Sequence, residues 1–187
     1  MINPIDSNLS IFFRDPREAP TELGTLGVLY LLRRDVVRCL ENDNGILFPA
    51  IMMMFAGIDL LAKFYAGSDK GSVGARFKGF IKKYFSGISG DDAEVLYQLR
   101  NALLHSFALY SRDDKNKKEY SFAIGPASQL VKEFRGRYFI SPKDLYAQFE
   151  SAIQQYQKDL SSDAALRAKF QAMFPNYGTT ALSVTGF

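Results

Sequence analysis

The feature that most constrains this fold is an unbroken apolar stretch from Ile46 to Ile58, which is followed by Asp59. Together with the residues up to Ala66, it predicts a helix over about Leu47 to Ala66 that is apolar nearly all round. Such a helix needs other elements on every side, so we expect it at the centre of a helical bundle. The stretch itself is thirteen residues long. A bilayer needs roughly 20, so we expect no membrane partner.

The composition sets the class of protein. A chain of 187 residues, 47% apolar and 23% charged, can bury a sizeable core, and wholesale disorder is excluded. We expect one domain over residues 22–174, with an N-terminal arm over 1–21 and a C-terminal tail over 175–187. The single Cys and single His exclude a Cys/His zinc site, and we predict no bound metal. The first residues do not resemble a secretory signal, so a cytoplasmic location is expected.

Helical spacing of apolar residues recurs along most of the chain, which predicts a mainly α fold. The N-terminal arm is the exception, because Pro4, Pro16 and Pro20 interrupt it and no period is sustained; an extended arm or loop is predicted there. Further helices are predicted from about Glu22 to Leu40, over 73–86, from about 92 to 110, from Ser141 through Tyr156, and from Ser162 to near Phe174.

The pattern changes between about residues 111 and 140. The segment RDDKNKKE is typical of an exposed turn, while Tyr120–Ile124 and Tyr138–Ile140 have the composition of short strands. We therefore predict a small β-hairpin-like insertion within the helical domain.

The residues that carry chemistry lie together on the helix predicted over about 92–110. Asn101 and His105 are four residues apart, so a helix places them on one face. Arg100 points roughly 140° away from His105 at 100° per residue, although its long side chain can reach the same rim. A histidine can act as base or acid near neutral pH, and a guanidinium can stabilise the charge that develops on a scissile phosphate. This combination suits RNA cleavage in which the 2′-hydroxyl is the nucleophile.

The hexapeptide RNALLH resembles the R-N-x-x-x-H motif of the HEPN superfamily, whose members are up-and-down helical bundles and include many metal-independent endoribonucleases. The resemblance covers residues 22–110 and, more loosely, 141–174. It implies that Arg100 and His105 are the catalytic pair, that Asn101 assists them, and that no cofactor is needed. It also implies RNA as the substrate, a 2′,3′-cyclic phosphate product and a homodimer with a composite site. Family members often act as toxins or defence effectors, for which an antitoxin or another protein would be a partner.

Other residues have both a functional and a structural interpretation. Asp59 could orient Arg100 or His105, or it could pair with Lys63 one turn away. Tyr97 could support the site by stacking on a base, or it could be a core tyrosine.

Basic residues are concentrated between Lys63 and Lys83, where Asp69 is the only acid. Three of them, Lys78, Lys82 and Lys83, are predicted to bind phosphate. The alternative is a solvated helix face.

Two rival functions remain at this point. One is a non-catalytic HEPN-like scaffold that binds RNA, a nucleotide or a protein. The other is a helical dimerisation module without a ligand. The structural interpretation of the motif is that Arg100 and Asn101 are polar surface positions and His105 is a satisfied boundary residue.

Overall fold

Helices make up most of the chain in the computed structural model, which describes residues 4–19, 25–42 and 45–181. The mainly α fold class is therefore confirmed. The helices are α1 Pro4–Phe12, α2 Val28–Leu40, α3 Leu47–Ala66, α4 Val73–Tyr84, α5 Gly90–Ser106, α6 Pro142–Ser162 and α7 Ala164–Tyr177. The strands are β1 Thr25–Gly27, β2 Tyr110–Asp113, β3 Lys118–Ile124, β4 Val131–Phe134, β5 Arg137–Ile140 and β6 Thr179–Ala181.

The chain divides into two compact units. The first is formed by the described residues up to Gly71 and from Ile153 onward, and the second by Ser72–Ala152. The division therefore falls within α6. The boundaries of the single domain expected over residues 22–174 stay a prediction, and so does an up-and-down bundle of the HEPN type.

In the first unit, α3 is the central helix, as its apolar sequence predicted. It packs against α2 and α7, and half of its residues are buried. By length and composition alone α3 would also pass for a membrane span, but more than half of its most apolar window is buried within the protein. Core helices of folded domains share these properties.

The prediction of an extended N-terminal arm is wrong for residues 4–12, which form α1. Proline is tolerated in the first turn of a helix, so Pro4 does not prevent helix formation. The stabilisation is tertiary. The fully buried ring of Phe12 lies 4.6 Å from that of Phe64 and 5.4 Å from that of Phe170. Residues 1–3 and 20–21 of the predicted arm lie outside the described residues.

The ends of the first unit also differ from the sequence prediction. Residues 25–27 form β1 instead of the first turn of a helix, and they pair antiparallel with β6 in the predicted C-terminal tail. The last helix continues through Pro175 to Tyr177. Residues 22–24 and 182–187, which the helix and tail predictions also covered, lie outside the described residues.

The second unit combines two helices and the first part of α6 with a four-stranded sheet in the order β2-β3-β5-β4. The β3–β5 pair is parallel, and the other two pairs are antiparallel. The strands predicted at Tyr120–Ile124 and Tyr138–Ile140 correspond to β3 and β5. The insertion was placed correctly, but it is more than a hairpin. It also contains β2 and β4, which were not predicted.

Candidate functional site

The motif lies on α5, whose beginning is fixed by a capping box. The Ser89 hydroxyl accepts a hydrogen bond from the Asp92 amide at 3.0 Å, and the Asp92 carboxylate accepts one from the Ser89 amide at 3.1 Å. Leu96, Leu99 and Leu103 are buried on one face of the helix. Because the leucines occupy the buried face, the opposite face of α5 is available for polar side chains.

The helix ends at Ser106, earlier than the sequence predicted, and Phe107 is its C-cap residue. This residue has φ 50° and ψ 40°, the left-handed conformation in which glycine is the usual residue. A bulky residue there is strained by roughly 1–2 kcal/mol. Its side chain is also 64% exposed, so burial of the ring does not account for its presence. Strained, exposed positions of this kind concentrate at functional sites.

The structure brings Arg100, Asn101 and His105 together. Nη1 of Arg100 lies 3.0 Å from Nε2 of His105 and 3.1 Å from Oδ1 of Asn101. The long side chain of Arg100 therefore reaches His105, although the two residues point roughly 140° apart on the helix. The imidazole is exposed, whereas Arg100 and Asn101 are half-buried. The constellation faces solvent and is not enclosed in hydrocarbon.

The Arg100–His105 contact determines which imidazole nitrogen carries the proton. A guanidinium has five N–H donors and no acceptor, so Nε2 of His105 must accept this hydrogen bond through its lone pair. The proton of the neutral ring is then on Nδ1. The nitrogen that faces Arg100 is consequently the one with the free electron pair that a base requires.

These residues line an open groove of about 720 Å³ between α5 and the beginning of the sheet. Tyr97, Tyr110 and Arg112 line it as well. Its size is within the range of small-molecule and substrate sites. The groove can therefore admit a nucleotide unit next to the exposed imidazole.

Both signs of charge occur at the rim of the groove. Arg112 forms an exposed ion pair with Asp114 at 2.9 Å. Hydrogen bonds from the Asn116 side chain and backbone lower the pKa of Asp113, so this carboxylate is charged at neutral pH. Partial desolvation, together with the nearby carboxylate of Glu119, raises the pKa of Tyr110 and keeps its phenol protonated. The two acids would repel a phosphate, so within the groove the guanidinium of Arg100 is the more favourable partner for one.

Tyr97 is half-buried, and its ring is held by α4. The ring centroid lies 5.8 Å from that of Phe77 and 5.5 Å from Nζ of Lys78. Gly74 supplies the space for the ring, because a Cβ on that residue would lie 2.8 Å from the nearest ring carbon. Both interpretations of Tyr97 keep support, since it packs like a core residue and also lines the groove.

A chain of polar side chains that reaches the wall of the groove was not predicted. Lys78 pairs with Glu94 at 2.5 Å, and Glu94 accepts a hydrogen bond from the buried Gln98 at 2.8 Å. Oε1 of Gln98 accepts a hydrogen bond from the Ser111 hydroxyl at 2.8 Å. This chain connects α4, α5 and β2. The four-residue spacing of Glu94 and Gln98 was the only local signal for it.

The predicted phosphate-binding lysines do not gather at the motif. Lys78 is held in the ion pair with Glu94. Nζ of Lys82 lies 3.6 Å from the position of a Cβ on Gly90, the first residue of α5. At 1.5 Å per residue, His105 is about 22 Å further along that helix. Lys82, and its exposed neighbour Lys83, therefore lie at the opposite end of α5 from the imidazole of the same chain.

Asp59 is half-buried on α3, in the first unit. Its predicted role in orienting the motif stays a prediction. Lys63, the alternative partner, has its ammonium 4.7 Å from the ring centroid of Tyr177. Both interpretations of Asp59 remain open.

Comparison with protein-family models, with curated proteins and with solved structures finds no match to this chain.

Proposed function

We propose that this protein is a metal-independent endoribonuclease, with Arg100, Asn101 and His105 as its catalytic residues. The observation that carries the proposal is the 3.0 Å contact between Nη1 of Arg100 and Nε2 of His105 in an open groove. It supports the proposal because the imidazole and the guanidinium are close enough to reach one phosphate group, as the resemblance to HEPN ribonucleases implies.

The reaction follows from these groups. The scissile phosphate attracts the guanidinium of Arg100, and this releases Nε2 of His105. Nε2 takes the proton of the 2′-hydroxyl, and the 2′-oxygen forms a bond to phosphorus. The bond from phosphorus to the 5′-oxygen breaks, and that oxygen takes up a proton. The products are a 2′,3′-cyclic phosphate and a 5′-hydroxyl, and no water or metal ion is consumed. Asn101 orients Arg100 through its side-chain oxygen.

A homodimer would complete this chemistry. The imidazole of one chain accepts the 2′-proton, while His105 of a second copy, in its protonated form, gives its proton to the leaving 5′-oxygen. Phe107, which is exposed two residues after His105, offers an apolar contact for such an interface. The use of this activity as a toxin or defence effector, with an antitoxin or another protein partner, rests on the resemblance alone.

The second candidate is a non-catalytic scaffold that binds RNA, a nucleotide or a protein. One observation favours it: Arg100 already donates to two side chains of its own helix, which is also what a purely structural arginine does. Asp113 and Asp114 at the rim would oppose a phosphate, which favours a protein as the ligand of such a scaffold over RNA or a nucleotide.

A chelated cleavage assay separates the two candidates. The protein is incubated with single-stranded RNA in EDTA, and cleavage is expected to persist and to leave 2′,3′-cyclic phosphate ends. Substituting a 2′-deoxynucleotide at the cleaved position should abolish the reaction there. His105→Ala should lower the rate by about 10²–10⁴-fold, the usual contribution of a general acid or base. Lys143→Ala, which removes an exposed cation from α6, is the matched control and should retain full activity. If the unaltered protein leaves the RNA intact, the nuclease is refuted and the non-catalytic scaffold is the candidate that remains.

A further inference from the structure

The register of the sheet separates its side chains into two faces. Residues directly opposite each other in paired strands point to the same side. One face carries Tyr120, Phe122, Val131 and Ile140, all of which are buried. This is the inner face, and α5 contacts β2, β3 and β4.

The other face has no buried residue and can be read across all four strands. From β2 to β4 its members are Tyr110, Arg112, Glu119, Ser121, Ala123, Arg137, Phe139, Lys132 and Phe134. We call this set the open face. It combines three aromatic rings and three cations with the single acid Glu119.

Two of the three aromatic residues of the open face are exposed, and the third, Phe139, is half-buried. Phe134 is 54% exposed and Tyr110 is 49% exposed, although a soluble protein normally covers large rings. The guanidinium of Arg135 lies 5.0 Å from the ring centroid of Phe134 and adds a further cation at the tip of the β4–β5 turn. Rings interleaved with cations are the composition that binds single-stranded nucleic acid, because bases stack on the rings and phosphates pair with the cations.

The open face is continuous with the groove that holds the motif. At the β2 edge, Tyr110 and Arg112 belong to both surfaces. At the β4 edge, Lys132, Phe134 and Phe139 line a depression of about 450 Å³. Three strand spacings of about 4.8 Å separate the two edges, which gives roughly 14 Å. A short stretch of nucleotides could therefore extend from the depression to the imidazole.

We propose that single-stranded RNA binds across the open face, with bases stacked on Phe134, Phe139 and Tyr110, and that this surface delivers the strand to the groove. The inference deepens the proposed function, on which it rests, by naming the substrate as unpaired RNA. Duplex RNA is expected to bind more weakly, because its bases are stacked on each other and cannot reach the rings. The exposed Arg112–Asp114 pair can exchange its carboxylate for a phosphate at little cost, since exposed pairs contribute little stability.

Binding is measured by fluorescence anisotropy with a short labelled oligouridine, using His105→Ala protein so that the probe stays intact. Phe134→Ser should weaken binding about five- to a hundredfold, the loss expected for one stacked base. Arg137→Glu should weaken it at least tenfold at low salt and should flatten the dependence of affinity on salt concentration. Lys132→Glu repeats the charge test at another exposed position. Lys143→Glu on α6 and Ile46→Ser on the first unit are the matched controls and should bind normally.

Several results would overturn the inference. Unchanged affinity in all three face variants would do so, as would equal affinity for the oligouridine and for its duplex with oligoadenine. Loss of dimerisation in the face variants with unchanged RNA affinity would identify the open face as an interface between two copies instead. The two proposals fail separately. Binding that depends on the face without any cleavage would refute the nuclease alone, whereas cleavage of unpaired RNA at full rate by the face variants would refute the open face alone.

Discussion

The contact between Gly74 and Tyr97 allows a quantitative test with a control on the same helix. A Cβ at Gly74 would lie 2.8–3.0 Å from three atoms of the Tyr97 side chain, whereas a Cβ at Gly79, also on α4, would meet nothing within 4 Å. Replacing glycine by alanine within a helix stabilises it by about 1 kcal/mol, so Gly79→Ala should raise the free energy of unfolding by about that amount. The Tyr97 ring cannot move aside freely, because Phe77 and Lys78 flank it.

For Gly74→Ala, the overpacking penalty of about 1–3 kcal/mol opposes the same gain in helix propensity. The expected net change runs from no effect to a destabilisation of about 2 kcal/mol, so the two variants should differ by about 1–3 kcal/mol. The chain has no tryptophan, so urea unfolding is followed by far-ultraviolet circular dichroism. Equal free energies of unfolding for the two variants would show that the Tyr97 ring moves aside without cost. That result would refute the claim that α4 fixes the position of Tyr97.

Three further predictions concern the residues around the motif. Nitrogen-15 NMR of the neutral His105 side chain should show the proton on Nδ1; a ring protonated at Nε2 would contradict the hydrogen bond from Arg100. Ser111→Ala leaves the buried Oε1 of Gln98 without this donor and should cost about 1–3 kcal/mol in urea unfolding, and a neutral result would mean that water replaces the hydroxyl. Phe107→Gly relieves the left-handed strain and should stabilise the protein by about 0.5–1 kcal/mol while weakening self-association in analytical ultracentrifugation; a less stable protein would disprove the strain.

The parts of the fold that the sequence predicted correctly are those with strong local signals. The range of α3 agrees with the prediction because its twenty residues are rich in apolar side chains and because Gly67, which follows Ala66, caps the helix in the left-handed conformation. By contrast, β2 has the sequence YSRD and no alternation of apolar residues. It is a strand only because β3 pairs with it, and no local reading of the chain contains that information.

The candidate site was predictable to a similar extent. The stacking of Asn101 and His105 on one face follows from their spacing, whereas the contact of Arg100 with His105 depends on the rotamer of a long side chain. The positions of two of the predicted phosphate-binding lysines show the limit of reasoning along the chain, and their binding of phosphate stays a prediction. Lys82 and Lys83 precede the motif by only about twenty residues, yet α4 and α5 run in opposite directions and leave them beside the start of α5.

The way in which the chain divides between the two units affects the order in which they can form during synthesis. The second unit is one uninterrupted segment, Ser72–Ala152, so all the residues that it needs have been made once Ala152 has left the ribosome. The first unit pairs Thr25 with Ala181, and the Tyr177 hydroxyl donates to the Asp69 carboxylate. These contacts join regions more than a hundred residues apart, so their loop closure must wait until translation is almost complete. The groove and the open face can thus be in place on the nascent chain while the apolar α3 still lacks its partner α7.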